Sequence, residues 1–287
     1  MSLKYWQYRA SFALAPYFHR SFPVHLDIEV AGKCQLACTM CPYGTGEFDE
    51  SKQGMMDREI CEMALIEGAK YGAKSVKLNY RGEPGLCSYL DEAVSLANGL
   101  GYIEVAINTN LTAFSTRRLQ KVCNAGLDLI IISMDGATKK TYESIRINGD
   151  FAKLVDNLEW LNVYRIDHPK PKVRIQMVVQ DKNRDEIGLM QKYRMWCDEM
   201  VFQRLRQDNS GERKRCPQPH QRLIVGWDGE CYSCCSNWNK EWPVGKYPDQ
   251  SLAEIWEGAR ANELRRISAH PESGYPCDKC LVGGSYK

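Results

Sequence analysis

Three cysteines stand close together in Cys34-Gln35-Leu36-Ala37-Cys38-Thr39-Met40-Cys41, at spacings of four and three residues. Three thiolates on one loop can bind three irons of a [4Fe-4S] cluster and leave the fourth iron open to a small chelating molecule. Structural zinc wants four protein ligands, and no fourth histidine or cysteine stands beside these three. A second group of cysteines, Cys216, Cys231, Cys234, Cys235, Cys277 and Cys280, stands toward the C-terminus. With four protein ligands a cluster there has no open iron, which suits an electron conduit or a structural staple.

The elements that must carry these loops are legible as alternating patterns. His25 to Val30, Ser75 to Asn79, Ile103 to Asn108, Leu129 to Ser133 and Val173 to Val179 read as buried strands, with a sixth near Glu199 to Leu205. Helical spacing runs over Asp57 to Tyr71, Tyr89 to Gly99, Ser115 to Ala125, Thr138 to Ile145, Phe151 to Tyr164 and Asp185 to Cys197. Strand and helix in alternation predict a parallel sheet with right-handed crossovers, and six units suit an open (β/α)6 barrel. Active sites of such folds lie at the C-terminal ends of the strands. The three-cysteine loop follows the first strand, Gly82-Glu83-Pro84 the second, Asn108-Thr109-Asn110 the third and Ser133-Met134-Asp135 the fourth.

After Gln207 the pattern changes. Leu223 to Cys235 reads as a hairpin around the Asp228-Gly229 turn, and Ser251 to Ile267 as a helix with Ser251 and Glu254 as a capping box. The expected division is an N-terminal helical extension (1–22), a barrel (23–207) and a small cluster domain (208–287), which needs a metal staple because it buries little surface.

The C-x3-C-x2-C loop, Gly82-Glu83-Pro84 and the C-terminal cysteines together resemble the radical S-adenosylmethionine (SAM) superfamily, in the branch with a SPASM or twitch extension. Trp227-Asp228-Gly229 before Cys234-Cys235, and Ser251-Leu252-Ala253-Glu254-Ile255-Trp256, add to that likeness. The resemblance implies an α/β fold, a partial (β/α)6 radical-SAM barrel with a small C-terminal twitch/SPASM-like Fe-S domain. It implies a [4Fe-4S] cluster with an open iron on Cys34, Cys38 and Cys41, SAM bound at that iron, and an auxiliary [4Fe-4S] cluster on Cys216, Cys234, Cys277 and Cys280. Gly82, Glu83 and Pro84 would receive the methionine amino group, with Glu83 and the backbone carbonyls beside it as acceptors. Ser133 and Arg146, thirteen residues apart, could point at one carboxylate, and in related enzymes this pair holds that of SAM. Asn108 and Asn110 are expected ribose contacts. Met40 stands where many relatives carry an aromatic residue near the adenine.

Cys234 is chosen over Cys231 as the auxiliary ligand from the family match. Alternation along the strand turns Cys231, Ser233 and Cys235 one way and Tyr232 and Cys234 the other. Cys231 or Cys235 could instead be a hydrogen-atom donor facing substrate, against the plainer reading of a packed thiol. Cys61, Cys87, Cys123 and Cys197 also remain outside the two sites.

Composition narrows the partners. Net charge is +2 from 38 basic and 36 acidic residues, so no cationic face for nucleic acid is implied. Residues 1–20 lack the apolar core and cleavage site of a signal peptide, and no run reaches the length of a membrane span. Tyr5 to Phe22 reads as a helix packed on the domain in preference to one lying on a membrane surface. Thirteen cysteines without a secretion signal point to metal clusters in a reducing, cytoplasmic setting.

The expected function is reductive cleavage of SAM to a 5′-deoxyadenosyl radical that abstracts hydrogen from a small polyol, aminocyclitol or sugar, ending in dehydrogenation or epimerisation. Flavodoxin or ferredoxin would be the electron donor. The small-substrate preference rests on there being no room for a peptide-recognition domain in the roughly twenty residues before the first strand. The rivals are a radical SAM enzyme that modifies a ribosomal peptide or matures a sulfatase-type protein, and a non-catalytic Fe-S electron-transfer or zinc scaffold protein.

Overall fold

A computed structural model describes residues 3–47, 50–205, 215–234, 241–270, 274, 277 and 280. Strands β1 (His25–Ile28), β3 (Ser75–Lys77), β4 (Glu104–Thr109), β5 (Leu129–Ser133), β7 (Lys172–Val179) and β8 (Glu199–Arg204) are the six expected units. They lie side by side and parallel in that order, joined by crossovers that contain the helices. The barrel is partial, because the sheet does not close from β8 back to its other edge.

Alternation sets its two faces. Val105, Ile107, Ile130, Ile132, Val173, Ile175 and Met177 are wholly buried in one core that also takes in helix residues such as Leu65, Val94, Leu119 and Leu158. The opposite parity, Asn108, Ile131, Ser133, Arg174 and Gln176, is only half-buried and lines the inner wall. The helices start where short side chains can take up free amide protons: Asp57, Ser115, Thr138 and Asp150 each cap one, and Ser251 and Glu254 form the expected capping box.

Three features depart from the sequence expectation. The Asp185 to Cys197 segment is two 3-10 runs, Arg184–Glu186 and Leu189–Trp196, in place of one α-helix. Its start is pinned: Glu186 accepts hydrogen bonds from the amides of Ala137 and Thr138 and the hydroxyls of Thr138 and Thr141, at 2.6–3.1 Å. The Ser251 to Ile267 helix is broken into Leu252–Glu257 and Ala259–Ala269 by Gly258, whose ψ of 155° is extended.

The third departure concerns the hairpin, which is not self-contained. Its first strand, β9 (Arg222–Val225), pairs in parallel with β1, and β10 (Glu230–Tyr232) and β11 (Gly245–Lys246) follow antiparallel. One nine-stranded sheet, ordered β11-β10-β9-β1-β3-β4-β5-β7-β8, therefore runs through barrel and C-terminal region. The expected boundary at 207 and 208 lies outside the described residues.

Helix Leu3–Leu14 closes the other end of the barrel. Tyr8 packs with Val24 and Ile103, which precede β1 and β4, and its hydroxyl donates to Glu104 Oε1 at 3.3 Å. Phe12 meets the His25 ring edge-on, its carbonyl accepting from Gln221. These partners all sit at the N-terminal ends of strands, opposite the rim where the chemistry is expected.

Candidate active site

The cysteine loop is held by backbone pairing. Within it β2 (Ala37–Cys38) pairs antiparallel with β6 (Arg146–Ile147), setting Cys38 opposite Arg146, and the Thr39 amide donates to the Ile145 carbonyl at 2.9 Å. The Arg146 side chain is thereby delivered to the loop. Its Nε and Nη2 lie 2.8 and 2.7 Å from Asp135 Oδ2, and Nη1 points at Cys38 Sγ, 3.8 Å away. Burial alone would lower the guanidinium pKa; the charge and hydrogen bonding of Asp135, with Cys38 and Tyr142 beside it, together outweigh burial and push it up.

Donors surround the sulfurs. The Leu36 amide lies 3.4 Å and the Asn110 Nδ2 3.8 Å from Cys34 Sγ. Burial raises the free thiols of all three cysteines, Cys34 to about 12; an ionised Cys38 or Cys41 would raise Cys34 further, and an ionised Cys41 would raise Cys38. Three thiolates in one buried loop thus need positive charge between them, which iron supplies. N–H groups directed at sulfur are what a ligated thiolate accepts, so the residues present fit a [4Fe-4S] cluster. Among the described residues no three His, Cys, Asp or Glu side chains are grouped to hold a single metal ion.

Gly82-Glu83-Pro84 packs against the start of the same loop. Gly82 has φ +63°, and a Cβ there would lie 2.2 Å from the Ala31 carbonyl oxygen, so only glycine fits. The next amide, that of Glu83, donates to the Lys33 carbonyl at 2.7 Å. The Glu83 carboxylate is buried and accepts from the Thr109 hydroxyl (2.5 Å), the Asn110 amide (2.8 Å) and the Gly85 amide (2.9 Å). It is mainly a brace between two rim loops, which leaves the backbone carbonyls as the better acceptors for an incoming amino group. Arg118 clamps the far side through the carbonyls of Gly85 and Cys87.

The other sequence-selected residues divide. Asn108 and Ser133 sit together on the inner wall, amide to hydroxyl at 3.4 Å, both half-buried. Asn110 is held by Gln35 and Thr112 and steadies the cysteine loop, so it is less free to meet a ribose. Met40 is half-buried beside Cys41.

In the C-terminal region Cys277 and Cys234 pack with Leu264, Ile267 and Trp242. Cys216 joins them through its amide to the Ser268 carbonyl, and the Cys280 amide turns back to the Cys277 carbonyl. Cys216, Cys234 and Cys277 thus each touch helix Ala259–Ala269 through backbone or packing, and Cys280 follows one turn after Cys277. Cys231 does not join them: it is wholly buried in the main core, its thiol directed at the Gly229 carbonyl, and it faces neither rim nor auxiliary group. Its full burial accords with the plainer expectation of a packed thiol. Cys235 lies outside the described residues.

Several rim residues escaped the sequence reading. Arg81 and Glu29 form a buried pair with contacts of 2.8 Å, and the Arg81 guanidinium lies 4.9 Å from the Tyr80 ring centroid. Tyr80 stacks on Tyr232 and donates its hydroxyl to the Cys234 carbonyl at 3.1 Å, tying the rim to an auxiliary cysteine. The Trp227 indole fills the space beside Gly32 and Gly54, where an added Cβ would come within 2.1 and 2.2 Å of it. The one available signal was charge at inward positions, such as Asp27 and Glu29, in an otherwise apolar strand.

Comparison with known proteins agrees with this geometry. A profile of the radical SAM superfamily matches residues 28–192, and one of the SPASM iron-sulfur cluster-binding domain matches residues 216–281. A probable GTP 3′,8-cyclase of Methanothermobacter marburgensis is 28% identical over 56% of this chain and 50% of its own length. The chain thus spans about half of that relative. Among solved structures, BtrN in complex with AdoMet and 2-DOIA superposes with a TM-score of 0.62 at 18% identity, covering 92% of this chain and 94% of that one. Streptococcus suis SuiB bound to S-adenosylmethionine gives a TM-score of 0.72 at 13% identity, covering 94% and 73%. At these identities the structural likeness speaks for the fold alone.

Proposed function

The chain belongs to the radical SAM superfamily, and on that premise we propose that it abstracts hydrogen from a small polyol, aminocyclitol or sugar, ending in dehydrogenation or epimerisation. Cys34, Cys38 and Cys41 would hold the cluster, which when reduced and with SAM bound would supply a 5′-deoxyadenosyl radical. The chain's own residues orient and enclose. The carbonyls beside Glu83 accept the amino group of SAM, Ser133 offers a hydroxyl to its carboxylate, and Arg146 lends positive charge from its seat on Asp135.

The observation that carries the substrate class is the inner wall. Asn108, Ser133 and Gln176 are half-buried on β4, β5 and β7, Gln176 donates to Gln203, and Arg81, paired with Glu29, holds its guanidinium 4.9 Å from the Tyr80 ring centroid. Amides and hydroxyls on this half-buried wall suit a ligand rich in hydroxyl groups, with which they can exchange hydrogen bonds. A peptide substrate is the second reading, favoured by the likeness to SuiB bound to precursor peptide SuiA, at a TM-score of 0.70.

Deuterated candidates decide between them. Incubation of reconstituted, reduced enzyme with SAM and a carbon-deuterated polyol should move deuterium into 5′-deoxyadenosine. A product lighter by two hydrogens marks dehydrogenation, and one of the parent composition with inverted stereochemistry marks epimerisation. Transfer only from a deuterated peptide would overturn the small-substrate reading.

A further inference from the structure

Helix Leu3–Leu14 has two apolar faces. One, with Tyr5, Tyr8 and Phe12, packs on the barrel floor. The other points away: Leu3, Trp6, Ala10, Ala13 and Leu14 are all exposed, and at 100° per residue they fall within one arc of roughly 100°. Tyr17 and Phe18 extend this ridge past the helix end, 69% and 65% exposed. A helix apolar on both sides is ordinarily covered on both sides, and contiguous exposed apolar surface marks an interaction site.

Charge identifies what covers it. The first acidic residue of the chain is Asp27, whereas Lys4, Arg9 and Arg20 precede it. Beside Tyr17 and Phe18 opens a cleft of about 340 Å³ lined also by Arg215, His220, Arg265 and Arg266. Arg215 lies over the Tyr17 ring at 5.4 Å, and Glu257 at the cleft's edge is engaged by His19. Arg265 is 8% exposed, and its buried Nη1 has no hydrogen-bond partner among the described residues. Aromatic rings on a ridge flanked by cations suit the interface of an anionic bilayer, where rings sit at headgroup level and cations meet phosphate. A second copy docked face to face would instead set the same cations against one another.

We propose that the face formed by Leu3, Trp6, Leu14, Tyr17 and Phe18, with the cationic cleft beside it, docks this protein peripherally on membranes carrying anionic phospholipids. The helix covers the N-terminal strand ends, so docking leaves the opposite rim open to solvent. The contact is a tether and does not feed lipid into the site.

Co-sedimentation tests the proposal. Anaerobically reconstituted full-length protein is spun with vesicles of phosphatidylcholine alone or of phosphatidylcholine mixed with phosphatidylglycerol. At low salt the anionic vesicles should bind at least about tenfold more protein than the neutral ones. A Trp6→Ser/Phe18→Ser variant and a Lys4→Glu/Arg266→Glu variant should each lose about tenfold in partitioning. Both change only exposed side chains, so circular dichroism and thermal midpoint should match the parent. Protein left in the supernatant, equal binding to both vesicles, or variants binding like the parent would overturn the proposal. So would a dimer that ignores vesicles and is dissolved by Trp6→Ser/Phe18→Ser.

Discussion

Arg146 directs its guanidinium at two partners, Asp135 through Nε and Nη2 and Cys38 Sγ through Nη1. Asp135 is in turn fixed by the Val178 amide at 2.7 Å. Removing the acid leaves a buried cation without its counter-charge, a loss of roughly 3–5 kcal/mol. Asp135→Ala should therefore shift urea unfolding by about that amount and lower the iron retained after reconstitution. Unchanged stability would mean that water replaces the carboxylate. Much at this scale was legible because it is local: three cysteines within eight residues announce themselves. The Arg146 contact with Cys38 was not, since a pairing between positions 108 residues apart leaves no mark in composition or spacing. Alternation did separate Cys231 from Tyr232, and the structure places the first in the core and the second against Tyr80.

At the scale of elements, the rim is made by loops that brace one another. Gly82 lets the second loop touch the first, Glu83 ties it to the third, and the β2–β6 pairing brings in the segment after β5. Gly82→Ala forces a positive φ on a residue with a Cβ and drives that atom into the Ala31 carbonyl. A cost of about 1–3 kcal/mol follows, and calorimetric SAM affinity should fall with it while the far-UV spectrum is kept. Wild-type affinity would show that the loop binds SAM without this close approach. The strands and capped helices were readable from their periodicity and caps. The 3-10 runs after Arg184 were not, because apolar spacing there mimics a helix while Glu186 is committed to its neighbour's N-terminus.

Across the whole molecule, the two regions share a sheet and a buried charge cluster at its centre. Asp27 on β1 lies 2.9 Å from Lys77 of β3 and 2.9 Å from Arg222 of β9. The lysine contact is a charge contact outside hydrogen-bond angles. Burial alone would raise the Asp27 carboxyl; Lys77, Arg222 and the neighbouring His25 together outweigh it and hold it well below its usual range. A depressed folded-state pKa gives stability that is present above the unfolded value, 3.8, and lost as pH falls below it. Asp27→Asn should cost on the order of 3–5 kcal/mol at neutral pH by stranding two cations, and should flatten acid unfolding below pH about 4. An equally steep acid limb in the variant would place the sensitivity elsewhere. The parallel pairing of β9 with β1 could not be read locally, for the hairpin signal is complete without it.

The most direct measurement is release of 5′-deoxyadenosine from SAM by the anaerobically reconstituted, dithionite-reduced protein. Wild type should release it, Cys38→Ala should fall by more than about 100-fold, and Cys277→Ala should keep part of the activity because Cys277 is not one of the three cysteines of the Cys34 to Cys41 loop. Intact SAM with wild-type protein, or cleavage that survives Cys38→Ala, would contradict a radical generated at the Cys34 to Cys41 loop.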